Sequence, residues 1–279
     1  SIRRRQRQMC IRDRYTMAKL SKKQIIDKLR IDKEYYGEFG RQWLSNSNIQ
    51  NLQPSTFKQF GKVEPDNENF VKGRYFHQLI LEPEKAKDFP IWSATETRGK
   101  AYKEFLEEKG LNFVLKESEA LLIENMAKEI VSRNEQLTEL ITNKEALKEE
   151  PYIGEIFGHQ FKCKCDLISQ GICVDLKTSS AKTIEEFVWL GKNKYFYDTQ
   201  AFIYQTLTGK SMTFVAIDKA RKEYGNTGEF YHEIYVCPTS EETVLQGKQK
   251  VERAVQMYEN YHGKDKKEDI RNVIYNLNF

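Results

Sequence analysis

Lys164-Cys165-Asp166-Leu167-Ile168-Ser169-Gln170-Gly171-Ile172-Cys173-Val174-Asp175-Leu176-Lys177-Thr178-Ser179 is the stretch whose reading decides the fold. From Ile172 to Lys177 apolar residues alternate with others, which is the period of a half-buried strand. Side chains two apart on a strand share a face, so Ile172, Val174 and Leu176 point one way and Cys173, Asp175 and Lys177 the other. The run from Phe161 to Ile168 pairs with this strand through a turn at Ser169-Gln170-Gly171, and the hairpin brings Asp166 to the end that carries Asp175 and Lys177.

An Asp-x-Lys on an exposed strand face is ordinarily a solvated ion pair worth little. Two carboxylates and an ammonium on a rigid sheet are also what metal-assisted hydrolysis of a phosphodiester requires. The acids hold a hard cation through oxygen, and the lysine steadies the attacking water and the growing charge. The flanking sequence decides between the two readings.

Before the hairpin the pattern is helical. Helices are expected over residues 17–36, over 44–60 with Asn46 and Ser47 as caps, over 71–81 ending before Pro83, and over 95–109 closed by Gly110. Ser118 caps a long stretch over 119–149, with a break near Ser132 to Asn134 and its end at Pro151. Strands follow at 153–158, 161–168 and 171–178, then helices at 183–192 and 195–208. Two more strands, 214–218 and 229–236, precede a helix to Tyr261 opened by a Thr239–Glu242 capping box. Helices first, then a sheet wrapped by helices, is an α/β or α+β pattern in one domain.

The first sixteen residues stand apart. Arg4 to Arg14 resembles a translated transposase-end sequencing adapter, and Met17 opens an ordinary start, so residues 1–16 are read as an artefact of assembly or cloning. The segment has no apolar core of the kind a secretory signal needs. It holds six arginines and one aspartate; without it the net charge falls from +4 to −1, with 39 basic and 40 acidic residues. Nucleic-acid binding must then come from a local patch, not from bulk charge. The domain reading is a single unit over 17–262, helical over 17–150 with the sheet-bearing core over 151–262, followed by a charged tail over 263–279.

No run of eighteen apolar residues occurs, so no membrane span is expected. Fifteen Tyr and sixteen Phe point to an aromatic-rich core or groove. Cys163, Cys165, Cys173 and Cys237 lack Cys-x2-Cys spacing, and free buried thiols in a reducing cytosol account for them better than a zinc or iron–sulfur site.

Three further elements complete the set. Gly73-Arg74-Tyr75-Phe76-His77 carries a histidine on a helix face, which by itself is more often a core residue than a ligand. Glu155 lies on the strand before the hairpin. Gln200 and Tyr204 are four apart and share a helix face, where an amide and a phenol can bind phosphate oxygens and stack on a base. The order Gly-x3-His, Glu, Asp, Asp-x-Lys-Thr, Gln-x3-Tyr resembles the RecB-like branch of the PD-(D/E)XK nucleases. Nearest in pattern are the phage recombination exonucleases of the RecE and lambda exonuclease type, similar to exodeoxyribonuclease VIII. Leu44 to Ser47, Gly73 to Pro83, Val174 to Ser179 and Phe214 to Lys219 fall in the family's order, so the resemblance spans residues 44–262.

The resemblance implies a restriction-endonuclease-like core, a central mixed sheet flanked by helices, with an N-terminal helical region. It implies that Asp166, Asp175 and Lys177 are catalytic. His77, Asp166, Asp175 and the Leu176 carbonyl would hold Mg²⁺ or Mn²⁺, with Glu155 a further acidic match. Gln200, Tyr204 and Thr178 would contact DNA. The implied activity is 5′-to-3′ degradation of linear double-stranded DNA, leaving 3′ single strands for a single-strand annealing protein in phage recombination. The implied setting is the cytoplasm of a bacterial host, and the implied assembly a ring-shaped homo-oligomer. Two positions depart from the pattern: Cys165 stands where a proline is common, and the second acid is Asp175 where Glu is commoner. The alternatives are an inactive nuclease fold serving as a DNA-binding or assembly subunit, and a single-strand RecB-like nuclease. The latter group needs cysteines beyond the Gln-x3-Tyr helix, where this chain has only Cys237.

Overall fold

A computed structural model describes residues 20–54, 56–62, 66–94, 96–97, 99–263 and 266–270. Residues 1–16 and most of the charged tail lie outside the described residues.

Among the described residues the centre of the molecule is a five-stranded mixed sheet. Its strands are β3 (Leu147–Ile156), β4 (His159–Ser169), β5 (Ile172–Ser179), β6 (Ser211–Glu223) and β7 (Phe230–Pro238), hydrogen-bonded in that order. Two short strands, β1 (Ile91–Trp92) and β2 (Leu115–Lys116), pair in parallel apart from it. β3–β4, β4–β5 and β6–β7 are antiparallel, whereas β5 and β6 are parallel. A parallel pair needs a long crossover. Here it is made by α9 (Ile184–Asn193) and α10 (Tyr197–Thr208).

The β3–β4 and β4–β5 hairpins turn through two residues with positive φ, Phe157-Gly158 and Gln170-Gly171. That conformation matches the twist of the flanking strands, and glycine adopts it without steric cost. Turn position sets register: Ile156 faces His159 and Ser169 faces Ile172.

Helices cover both faces. α4 (Glu68–Leu81), α7 (Glu117–Ser132) and α8 (Glu135–Thr142) bury Phe76, Ile80, Ile123, Met126, Ile130 and Ile141 against Leu167, Val174, Leu176, Val215 and Ile217 of the sheet. On the opposite face, α10 and α11 (Glu241–Tyr261) bury Ile203, Ala201, Val251 and Ala254 against Cys163, Cys165, Cys173, Phe214 and Ala216. Val174 and Leu176 thus face one layer and Cys173 the other, as the alternation along β5 predicts. The four described cysteines are free, three of them buried.

The helix predicted over 17–36 is interrupted. α1 (Lys22–Leu29), capped by Ser21, and α2 (Asp32–Tyr36) are separated by Arg30 and Ile31. Lys162 and Lys164 of β4 tie α2 down. Lys162 donates to the Tyr35 carbonyl and lies 3.9 Å over the Tyr35 ring; Lys164 pairs with Asp32 at 2.6 Å. Burial, with Lys164 beside it, pushes the Lys162 pKa down to about 7. The helix expected over 44–60 is one short helix, α3 (Asn46–Asn51), capped by Ser45, followed by a 3-10 turn at Phe57–Gln59. The remaining helices are α5 (Pro83–Ala86) and α6 (Lys100–Lys109), the latter closed by Gly110 in the left-handed conformation.

The long helix expected over 119–149 breaks where Ser132 to Asn134 suggest, with Asn134 capping α8, but α8 stops at Thr142. β3 then runs straight through Pro151. Proline cannot donate to a ladder and is confined to edge strands or bulges; β3 is an edge strand, so Pro151 sits in it opposite Lys164. No described helix is long and apolar enough to cross a membrane.

Candidate active site

The site lies where β4 and β5 part. Their pairing stops at Leu167↔Val174. Continued by one residue, the register would set Asp166 opposite Asp175. Like charges directly opposite destabilise a sheet, and the strands diverge there. Leu176 N, which would otherwise join the ladder, donates to Asp166 Oδ2 at 2.7 Å. β5 continues beside β6 to Ser179, so the fork has one rigid arm. On the other arm the exposed edge of β4 is covered by Leu44, which exchanges backbone hydrogen bonds with Gln160 and Lys162 at 2.9 and 2.8 Å.

The β3–β4 register brings in a third acid. Lys148 faces Leu167 and Glu150 faces Cys165, which leaves Glu149 opposite Asp166. Glu149 has φ +50°, a left-handed conformation unusual for a non-glycine residue and characteristic of functional positions. His77 enters from α4. Its Nε2 lies 2.9 Å from the Leu176 carbonyl, and its Nδ1 lies 3.5 Å from Asp166 Oδ1 and 3.9 Å from Glu149 Oε1. A carbonyl only accepts, so Nε2 carries the proton. Burial, with Lys177 nearby, keeps the His77 pKa low, so Nδ1 presents a lone pair to the carboxylates.

One donor atom each from His77, Glu149 and Asp166 falls within a 4.8 Å cluster. Burial and the charge of Asp175 raise the Asp166 pKa well above the carboxylate range. Burial and Asp166 push Glu149 up to about 7. Carboxylates whose ionised forms are this costly would be compensated by a cation, and two oxygens with one imidazole suit a divalent one. The donor set therefore fits the Mg²⁺ or Mn²⁺ that the resemblance implies.

Asp175 faces the other layer. Its Oδ2 pairs with Lys177 Nζ at 2.6 Å, and its Oδ1 accepts from the Gln200 amide of α10. Burial works against the Lys177 ammonium, but Asp175 and Asp166 outweigh it and hold the pKa above its ordinary value. The lysine is charged at neutral pH.

The structure thus gathers Asp166, Asp175, Lys177, His77, Leu176 and Gln200 at one fork and separates others from it. Glu155 is exposed near the far end of β3, bonded to Gln160 at 3.4 Å. At about 3.3 Å per residue it lies roughly 20 Å along the strand from Glu149. Glu149 takes the position expected of it. With the turn at Phe157-Gly158 the residue opposite Asp166 is 149, whereas strands read as 153–158 and 161–168 put the turn two residues late, set 153 opposite Asp166, and leave 149 in the expected helix. Gln200 is buried with its amide turned to Asp175, not outward to a phosphate. Tyr204 packs among core side chains of α10 and the sheet. Thr178 is half-buried on β5 beside the fork. The Leu176 carbonyl, expected at a cation, accepts from His77.

A family model described as a PDDEXK-like domain of unknown function (DUF3799) matches residues 51–264. No curated protein matches the chain. Among solved structures, a candidate exonuclease from Eubacterium rectale has a similar fold, with a TM-score of 0.55 at 16% identity over 81% of this chain and 85% of that one. An alkaline exonuclease from Laribacter hongkongensis aligns at a TM-score of 0.33 and 13% identity, over 78% of this chain and 88% of its own. A phage-related exonuclease from Haemophilus somnus aligns at 0.33 and 14%, over 77% and 93%. The last two alignments are too loose to argue from.

Proposed function

The chain belongs to the PDDEXK-like family, and on that premise we propose that it is a Mg²⁺-dependent exonuclease that hydrolyses phosphodiester bonds of linear double-stranded DNA. The observation that carries this reading is the fork: Glu149, Asp166 and Asp175 aligned across three adjacent strands, with His77 on one side and a charged Lys177 on the other.

Asp166, Glu149 and His77 Nδ1 would hold the cation, which when bound supplies Lewis-acid activation and charge neutralisation at the scissile phosphate. Lys177, fixed by Asp175, can orient the attacking water and offset charge on the phosphorane. Gln200 holds the second oxygen of Asp175, so the ion pair points one way. His77 links α4 to the Leu176 carbonyl and keeps its free nitrogen toward the acids.

The finer reading follows the phage exonuclease pattern of the motifs. Digestion runs 5′ to 3′ and leaves a 3′ strand for a single-strand annealing protein, in a bacterial cytoplasm. A ring of copies would supply processivity without a basic surface, which suits a charge of −1 over residues 17–279. The test uses purified protein with linear duplex labelled at either 5′ or 3′ ends and with closed circular duplex, in Mg²⁺ or EDTA. Linear duplex should be digested from the 5′ ends in Mg²⁺ alone, and Asp175→Ala should be inactive. Digestion of the circle, or activity that survives EDTA, overturns the reading.

A further inference from the structure

The sequence placed a base-stacking phenol at Tyr204, but that side chain is half-buried against core residues. On the connection between α9 and α10 a set of rings leads out to solvent beside the fork. Phe214 of β6 stacks on Tyr197 at 4.8 Å and 21°, and Tyr197 stacks on Tyr195 at 5.7 Å and 23°. Three near-parallel rings therefore lead from the sheet to the surface, where Tyr195 is 41% exposed. The ladder touches the candidate active site at its middle rung: Lys177 Nζ lies 5.4 Å from the centre of the Tyr197 ring.

The outer rung is held in place. The Tyr195 carbonyl accepts from Gln50 at 2.6 Å, and its N–H caps α9 at the Leu190 carbonyl, 3.0 Å away. Phe196, between the two tyrosines, has φ +53°. A non-glycine residue in that region persists only where its surroundings over-determine it. Lys194 lies with its ammonium 5.3 Å from the centre of the Tyr195 ring. A flexible, exposed lysine over an aromatic face is a displaceable cover.

We propose that Tyr195 is the outer rung of an aromatic ladder that receives an unstacked base of single-stranded DNA next to Lys177. The base takes the place of the Lys194 ammonium, which then pairs with the adjoining phosphate. Acidic residues of α9, Glu185 and Glu186, sit in its first turn, at the opposite end of the helix. Base stacking on aromatic side chains is sequence-tolerant, as a nuclease that must pass any sequence requires. The inference rests on the nuclease reading above and adds where the strand runs on leaving the duplex.

The test is binding of fluorescently labelled dT12, and of an abasic strand of the same length, to the full chain in EDTA. Tyr195→Ala and Tyr195→Leu should each weaken dT12 binding about 5- to 100-fold. Tyr195→Phe, which keeps the ring, should match the parent, and all three variants should bind the abasic strand as the parent does. Leucine fills the space without a π face, so it serves if alanine impairs folding. Unchanged dT12 binding by both variants overturns the proposal, as does an equal loss on the abasic strand. So does a parent oligomer that Tyr195→Ala dissociates, since α9 exposes Val188 and Trp189 and a second copy would then be the occupant. Parallel cleavage of linear duplex in Mg²⁺ separates the two readings. A parent that binds bases through Tyr195 but never cuts loses the nuclease and keeps the ladder; one that cuts while Tyr195→Ala binds normally loses only the ladder.

Discussion

Asp166 and Lys177 lie on opposite arms of one fork and should fail differently when removed. Asp166→Ala takes a donor from the His77–Glu149–Asp166 cluster, and calorimetric titration with Mn²⁺ should show binding abolished. Lys177→Ala leaves that cluster intact, so Mn²⁺ should still bind while single-turnover cleavage falls about 10²- to 10³-fold. Loss of Mn²⁺ binding in Lys177→Ala would contradict the division of roles. Glu149 has its own signature. A carboxyl whose folded pKa lies above its unfolded value contributes stability that is full below the unfolded pKa and is lost as pH rises through the folded one. For Glu149 that window runs from 4.5 to about 7. Metal-free protein should therefore lose up to roughly 3 kcal/mol across it relative to Glu149→Gln, whose neutral amide does not titrate. Urea denaturation in EDTA at pH 5 and pH 7.5 measures this; parallel pH dependence of parent and variant would refute it. Divalent metal should reverse the sign at pH 7.5, stabilising the parent and not the variant. Asp175 and Lys177 were legible because they share a strand face two residues apart. Glu149 was not, because its place depends on a turn eight residues downstream.

At the level of elements, the aim of Gln200 depends on how α10 is seated. Asp198, fully buried at its start, pairs with Lys250 of α11 at 2.6 Å, and Gly247 lets the two helices touch. A Cβ at Gly247 would lie 1.9 Å from the Asp198 carbonyl oxygen. Gly247→Ala gains helix propensity of about 1 kcal/mol, but the clash is with backbone, which cannot swing aside. A net destabilisation of about 1–3 kcal/mol is expected in urea; a more stable variant would mean that the helices separate at little cost. Helix ends with local signals were readable: Gly110 and Gly209 close α6 and α10, and Asn134 caps α8. The start of β3 was not. Pro151 reads as a helix stop in any local window, and only the position of β3 at the sheet edge makes it a strand residue.

For the whole molecule, net charge and site are separable. A chain beginning at Met17 should keep the thermal midpoint and EDTA-sensitive cleavage of the full chain, while its DNA affinity at low salt falls and its dependence on salt flattens. Each phosphate that the protein no longer neutralises lowers the log–log slope by about 0.9, and the deleted segment carries six arginines. A shorter chain that no longer cuts linear duplex would show that the segment belongs to the working protein. What the sequence by itself determined is whatever depends on near neighbours: the alternation that makes β5, the hairpin that brings Asp166 beside it, the glycines that close α6 and α10, and the order of motifs that identifies the family. What only the tertiary structure decided is which residues meet across strands and layers. Glu149 replaces Glu155, Gln200 turns inward to Asp175, and Tyr195 is exposed where Tyr204 is half-buried. A shift of two residues in a turn moves a partner by four positions along the opposite strand, and the burial of a helix face is set by the helix it packs against.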